Sequence, residues 1–233
     1  MALALSTAGY AFAASILDEI QLISGSSSTT ISDNGPGDIN PADASIATFS
    51  ANFNGWDILV AYGTSHAPDL SPFALDLGVM ATCAVGGCTQ PLDVYFTDVG
   101  YTDASRSNGF AAGFSDTQSG SGEVTASAWY SNLNTPFSEQ NLIGTIGPFT
   151  ATDFSSTSDG SNDAVPDYSL TLEEVFSSAG DGVVLFSSDG NISTETPEPS
   201  SATLLGALAL IVVTLWRRRI LIAPKKTANS TTR

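Results

Sequence analysis

Up to Trp216 this chain has a single basic residue, Arg106, set against 24 Asp and Glu. That scarcity constrains the fold more than any motif does. A soluble helix normally sets acids against Lys or Arg one turn away, and here such partners are missing. One cation against 24 acids gives residues 1–216 a net charge of −23, and residues 217–233 carry +6, which together make the −17 of the whole chain. Short alternating, β-branched or aromatic runs recur instead, separated by Gly, Asn, Asp, Ser and Pro clusters. The expectation is an all-β body.

About ten strands can be read from this texture. In residues 56–62, Trp56, Ile58, Val60 and Tyr62 fall on one face, and the other face is apolar as well, which reads as a central strand. Residues 92–99 place Val94 and Phe96 together, with Asp98 facing water at the end. Further strands are expected at 16–23, 45–52, 74–83, 110–116, 123–130, 143–149, 168–176 and 182–186. Residues 24–30 and 119–122 read as turns or loops, 155–167 as a longer polar loop and 187–196 as a linker. The roughly 180 residues before the linker's end suffice for one domain. An antiparallel β-sandwich, jelly-roll-like, over residues 14–186 is the expected fold, with a single barrel as the alternative.

The C-terminus has a different character. Pro197-Glu198-Pro199-Ser200-Ser201 precedes an apolar run, 202–216, which ends at Arg217-Arg218-Arg219. The prolines disfavour helix before the run, and a serine can cap its first turn. Fifteen residues span about 22 Å as a helix, short of a hydrocarbon core of about 30 Å. Including both serines, so that the helix runs 200–216, and letting the arginines snorkel closes part of the gap. Trp216 sits where an interfacial aromatic belongs.

This order of tripeptide, apolar stretch and arginine cluster resembles the PEP-CTERM sorting signal of bacterial exported proteins. The resemblance covers 197–219, about a tenth of the chain. It implies recognition by an exosortase acting near Pro197, Glu198 and Pro199, transient anchoring in the inner membrane, and delivery to the surface or exopolysaccharide matrix of a Gram-negative-type bacterium. The tail, 220–233, is longer than such signals usually carry and is expected in the cytoplasm.

The N-terminus fits export. Residues 1–13 are apolar or small and end in Ala11-Phe12-Ala13, a pattern read by signal peptidase. No Lys or Arg precedes Arg106, so the usual basic start of a signal peptide is missing; either the true start lies upstream or the chain is a fragment. Cys83 and Cys88 flank a Gly-Gly pair, and with one histidine in the chain a four-ligand zinc site is excluded. A disulfide across a turn is expected in an oxidising compartment.

Candidate chemistry is sparse. His66 lies in a loop, and no Gly-x-Ser-x-Gly elbow accompanies it, so it reads as a solvated residue rather than a triad member. Glu173 and Glu174 are adjacent in a strand and point to opposite faces, so they form no dyad. Asp159, Asn162, Asp163 and Asp167 concentrate oxygen donors and are the candidate calcium ligands, with a second cluster at Asp33, Asn34, Asp38, Asn40 and Asp43. Neither follows the EF-hand order, and solvated turns are the competing reading. One arginine cannot track a phosphate backbone, so nucleic acid is excluded as a partner of the body. No catalytic residue is assigned, and no cofactor is expected beyond calcium. The expected function is a surface or matrix structural protein; the alternative is a carbohydrate-binding sandwich, with a secreted hydrolase third. An exposed aromatic platform would favour the binder, and a cleft with two convergent carboxylates the hydrolase.

Overall fold

The computed structural model describes residues 18–40, 45–65, 67, 74–84, 86, 88–102, 109–160, 163–179 and 182–194. Twelve strands are formed among them: β1 Glu19–Ser24, β2 Ser27–Ser32, β3 Ser45–Phe53, β4 Trp56–Ser65, β5 Leu75–Cys83, β6 Leu92–Tyr101, β7 Phe110–Ser119, β8 Gly122–Ser131, β9 Asn141–Phe149, β10 Asp153–Gly160, β11 Tyr168–Ser178 and β12 Val184–Thr194. They make two six-stranded sheets, ordered β2-β1-β6-β11-β8-β9 (sheet A) and β10-β7-β12-β5-β4-β3 (sheet B), in which every pairing is antiparallel. The expected two-sheet sandwich is present.

The inner faces alternate as strand geometry requires. In β7, Phe110, Ala112 and Phe114 point inward, and in β11 Leu170, Leu172 and Phe176 do. Trp56, Phe96, Phe110, Phe176 and Phe186 are fully buried, and the Trp56 indole donates to the Gln90 carbonyl at 3.0 Å. Phe96 of sheet A lies against Gly63 of sheet B, where a Cβ would overlap its ring. The β3–β4 hairpin turns at Asn54-Gly55, both at positive φ (52° and 94°), as a type I′ turn demands.

The structure corrects five expectations. Residues 27–32 and 153–160 are edge strands, not loops: their Ser- and Thr-rich sequences pair with β1 and β7. Residues 187–194 are the second half of β12, held between β5 and β7, so the sandwich extends past 186 and no linker begins at 187. β4 is an interior strand as expected, paired with β3 and β5, but its faces are not the expected ones. Its register against β5 slips between Ile58 and Val60, a bulge that leaves Leu59 and Val60 both outward. Beyond it the faces exchange: Ala61 is buried and Tyr62 points out, away from the face of Trp56. Asp98 is fully buried instead of facing water. The expected signal peptide, sorting signal and membrane span, including Pro197, Glu198, Pro199, Arg217, Arg218 and Arg219, lie outside the described residues.

Candidate functional site

Four strands of sheet B, in the order β7, β12, β5 and β4, present a grid of outward residues. One row is Gly113, Asn191, Asp76 and Thr64; the next is Ser115, Asp189, Gly78 and Tyr62; the third is Thr117, Ser187, Met80 and Val60. Tyr62 is 38% exposed and lies over Gly78, where any Cβ would overlap the phenol ring. A side chain at 78 would push the ring up off the sheet, so Gly78 is what lets Tyr62 lie down toward Asp189. The result is a hollow of about 410 Å³ lined by Val60, Tyr62, Met80, Ser115, Ser187 and Asp189.

Asp76 and Asp189 are diagonal neighbours on β5 and β12, and their carboxyl groups share a hydrogen bond. Burial pushes Asp76 up to about 6, the Asp189 charge adds to the rise, and the Thr64 hydroxyl opposes it. Burial, then Asp189, Asp76 and Glu174, raise the Tyr62 phenol, so it remains a neutral ring and hydroxyl donor near pH 7. The site thus offers an aromatic face, the Asp189 carboxyl with Asp76 diagonal to it, and hydroxyls from Ser115 and Ser187, while the Asn191 amide lies over Gly113 on β7.

Beneath this face, Glu174 of β11 crosses the interior from sheet A. It is fully buried, and Ser188 of β12 donates to its Oε2 while Oε1 has no partner. Gly190 leaves room for that carboxyl. Burial pushes the Glu174 carboxyl well above the usual carboxylate range and so favours its neutral form. Glu173 faces outward and bonds Tyr95, which confirms that the adjacent glutamates do not act together. At one end of the sandwich Asp18 and Asp98, both fully buried, face each other. Ser65 donates to Asp98 Oδ2, and the Val99 amide donates to Oδ1 at 2.6 Å. Burial pushes Asp18 up to about 8, with the Asp98 and Asp33 charges adding to the shift.

Of the residues singled out from sequence, Cys83 and Cys88 form the expected disulfide, with Cα atoms 5.8 Å apart. The calcium candidates are not brought together. Asp159 pairs opposite Ala111 in β10, and Asp163 and Asp167 lie exposed in the connection to β11. An extended, laddered strand cannot curl its carboxylates around one ion. Asn162 and Asp43 lie outside the described residues. Asp38 caps its own turn, accepting the amides of Asn34 and Asn40 at 2.9 Å and of Ala47 at 3.1 Å. Among the described residues no group of three or more His, Cys, Asp or Glu is placed to hold a metal. His66 lies outside them.

Sequence reasoning missed Tyr62, Asp76, Asp189 and Asn191. The readable signal was in β12, where Val184, Phe186 and Ile192 keep a two-residue period through Ser188 and Gly190.

No family model matches the chain, and no curated protein does. Among solved structures it is similar to TmCBM61 in complex with β-1,4-galactotriose, at 8% identity over 68% of this chain and 92% of that one, TM-score 0.33. An adhesin domain of Lys-gingipain from Porphyromonas gingivalis matches at 12% identity over 66% and 93%, TM-score 0.35. The N-terminal cellulose-binding domain of Cellulomonas fimi β-1,4-glucanase C matches at 12% over 65% and 96%, TM-score 0.31. Likeness this distant assigns neither family nor ligand to the chain.

Proposed function

We propose that this domain binds glycan on the outer face of sheet B and is displayed at the bacterial envelope by its C-terminal signal. The observation that carries the reading is the part-exposed Tyr62 ring lying across Gly78 toward Asp189, with the hydroxyls of Ser115 and Ser187 lining the same hollow. Sugars need this combination: an apolar face for the C–H side of the ring, and fixed acceptors and donors for hydroxyls. The same sheet face carries two carboxylates, Asp189 in the hollow and Asp76 diagonal to it, the feature that would suit a hydrolase. Their contact with each other favours binding, since glycoside hydrolysis needs its acid and its partner about 5–9.5 Å apart with the scissile bond between them.

Affinity electrophoresis of the full chain through gels containing soluble polysaccharides tests this. At least one should retard the protein, and Tyr62→Ala should weaken that retardation about tenfold, the equivalent of about 1.4 kcal/mol. Equal retardation of wild type and variant would refute the site. Display through residues 197–219 would rest on exosortase and signal peptidase as processing partners. Intact mass of surface-released protein should then end near the Pro197-Glu198-Pro199 tripeptide; recovery of Arg233 on it would sink that half of the proposal.

A further inference from the structure

We infer that the glycan held at this hollow is an internal stretch of an uncharged polymer, which crosses the strands of sheet B and stacks a further sugar on Phe49 of the edge strand β3. The inference rests on the glycan reading and adds its ligand class and a second aromatic subsite. Strand register carries it, by extending the site beyond the hollow. The row through Tyr62 runs across all six strands from β10 to β3 as Ser155, Ser115, Asp189, Gly78, Tyr62 and Ala47. The residues at its two ends, Ser155 and Ala47, are small, so the row does not close on a chain end as a pocket would.

The β4 bulge supplies the second subsite. Thr48 pairs with Ala61 and Ser50 with Ile58, which sets Phe49 opposite the two outward residues Leu59 and Val60. Phe49 is 61% exposed and Leu59 52%, and Val60 pairs in turn with Met80, so an apolar ridge leads from the hollow to the sheet edge. Phe49 is diagonal to Tyr62 across the β3–β4 pair. Such neighbours stand about 7–8 Å apart, close enough for two rings to serve one polymer. From β7 to β3 the site crosses four strand spacings, about 19 Å, longer than a disaccharide can bridge. An apolar ridge on an edge strand would also suit a second copy of the chain. However, residues 1–216 carry −23, one cation against 24 acids, and two such bodies repel each other. The same charge, with Asp189 in the hollow, disfavours uronate and sulfated polymers. An uncharged polysaccharide escapes both penalties. Its C–H faces match Phe49, Met80 and Tyr62, and its hydroxyls match Ser115, Ser187 and Asp189.

Affinity electrophoresis of the full chain through hydroxyethylcellulose, glucomannan, galactan and polygalacturonate gels finds the polymer that retards it most. Calorimetry then uses two-unit and six-unit fragments of that polymer. An uncharged polymer should retard the protein most, and its six-unit fragment should bind at least about tenfold more tightly than the two-unit one. Phe49→Ala should remove most of that length advantage and leave the two-unit affinity unchanged. Phe49→Trp, which keeps a flat face, should preserve the advantage, and Tyr62→Ala should weaken both fragments. Strongest retardation by polygalacturonate, equal affinity for the two fragments, or a Phe49→Ala protein that keeps the length advantage each overturns the inference. If Tyr62→Ala still weakens binding in those cases, the glycan reading stands alone. Equal losses on both fragments in Phe49→Ala also overturn it, since Phe49 would then act through the hollow. Sedimentation of the wild type as a dimer that Phe49→Ala dissociates assigns the ridge to a second copy and overturns it as well. If no polymer retards the wild type, both readings fall.

Discussion

Two carboxylate pairs, Asp18–Asp98 and Asp76–Asp189, use the same chemistry in opposite surroundings. Asp18 and Asp98 are sealed at the end of the sandwich, where β1, β4 and β6 meet and the Tyr101 hydroxyl closes over Ser65 at 3.1 Å. Asp189 lines an open hollow, and Asp76 stands diagonal to it on the same outward face. Water and ligands reach the second pair and not the first. The sealed pair can relieve its repulsion only by keeping a proton, which makes its ionisation a matter of stability. The open pair can take a proton, a hydroxyl or a cation, which makes its ionisation a matter of binding.

The largest test of that contrast is stability against pH. Asp18 stays protonated in the fold up to about 8 but ionises near its ordinary value in the unfolded chain. Between those limits the unfolded state binds fewer protons, so stability falls as pH rises and levels off above about 8. Asp98, Asp116 and Glu174 are also raised, chiefly by burial, and add to the same slope. Asp18→Asn removes one ionisation and isolates its share. Its urea midpoint should exceed wild type at pH 9 by a stability on the order of a few kcal/mol, and the gap should close toward pH 5. Parallel pH curves for the two proteins would show that the pair is not the sealed acid described here.

Reducing the disulfide comes next in size. Opening the Cys83–Cys88 loop should lower stability by about 2 kcal/mol in the chain-entropy view. Cys83 ends β5, five residues beyond the Gly78 row, so glycan affinity should stay unchanged in protein that is still folded. Loss of affinity in parallel with stability would mean that the hollow depends on the end of β5. The smallest stability effect is expected at the open pair: Asp189→Asn should shift the thermal midpoint by less than an amount equivalent to about 0.5 kcal/mol, as exposed substitutions do. A large destabilisation there would erase the distinction between the pairs.

Much of the framework was legible in the sequence, and the misses share physical causes. β1, β5, β6, β8 and β11 carry apolar side chains at two-residue spacing, and burial of one face forces such segments into the core. β2 and β10 are edge strands of Ser, Thr and Asp, with little apolar alternation to read. Their extended form comes from the ladders of β1 and β7, which no local pattern announces. The second half of β12 was obscured because its inward positions, Ser188 and Gly190, are small where Glu174 arrives from the opposite sheet.

By itself the sequence determined that this body would be built of strands, that Cys83 and Cys88 would meet across a turn, that Glu173 and Glu174 would part to opposite faces, and that acids would far outnumber the Lys and Arg available to them. These follow from composition and from the two-residue period of a strand, which are properties of the chain. Only the tertiary structure decided that Tyr62 would lie outside and Asp98 inside. A one-residue bulge at Leu59 reverses the faces of β4, and the pairing of β1 and β6 seals Asp98 against Asp18. Both depend on register between strands distant in sequence, and register is set by the partner strand rather than by the residues that it displaces.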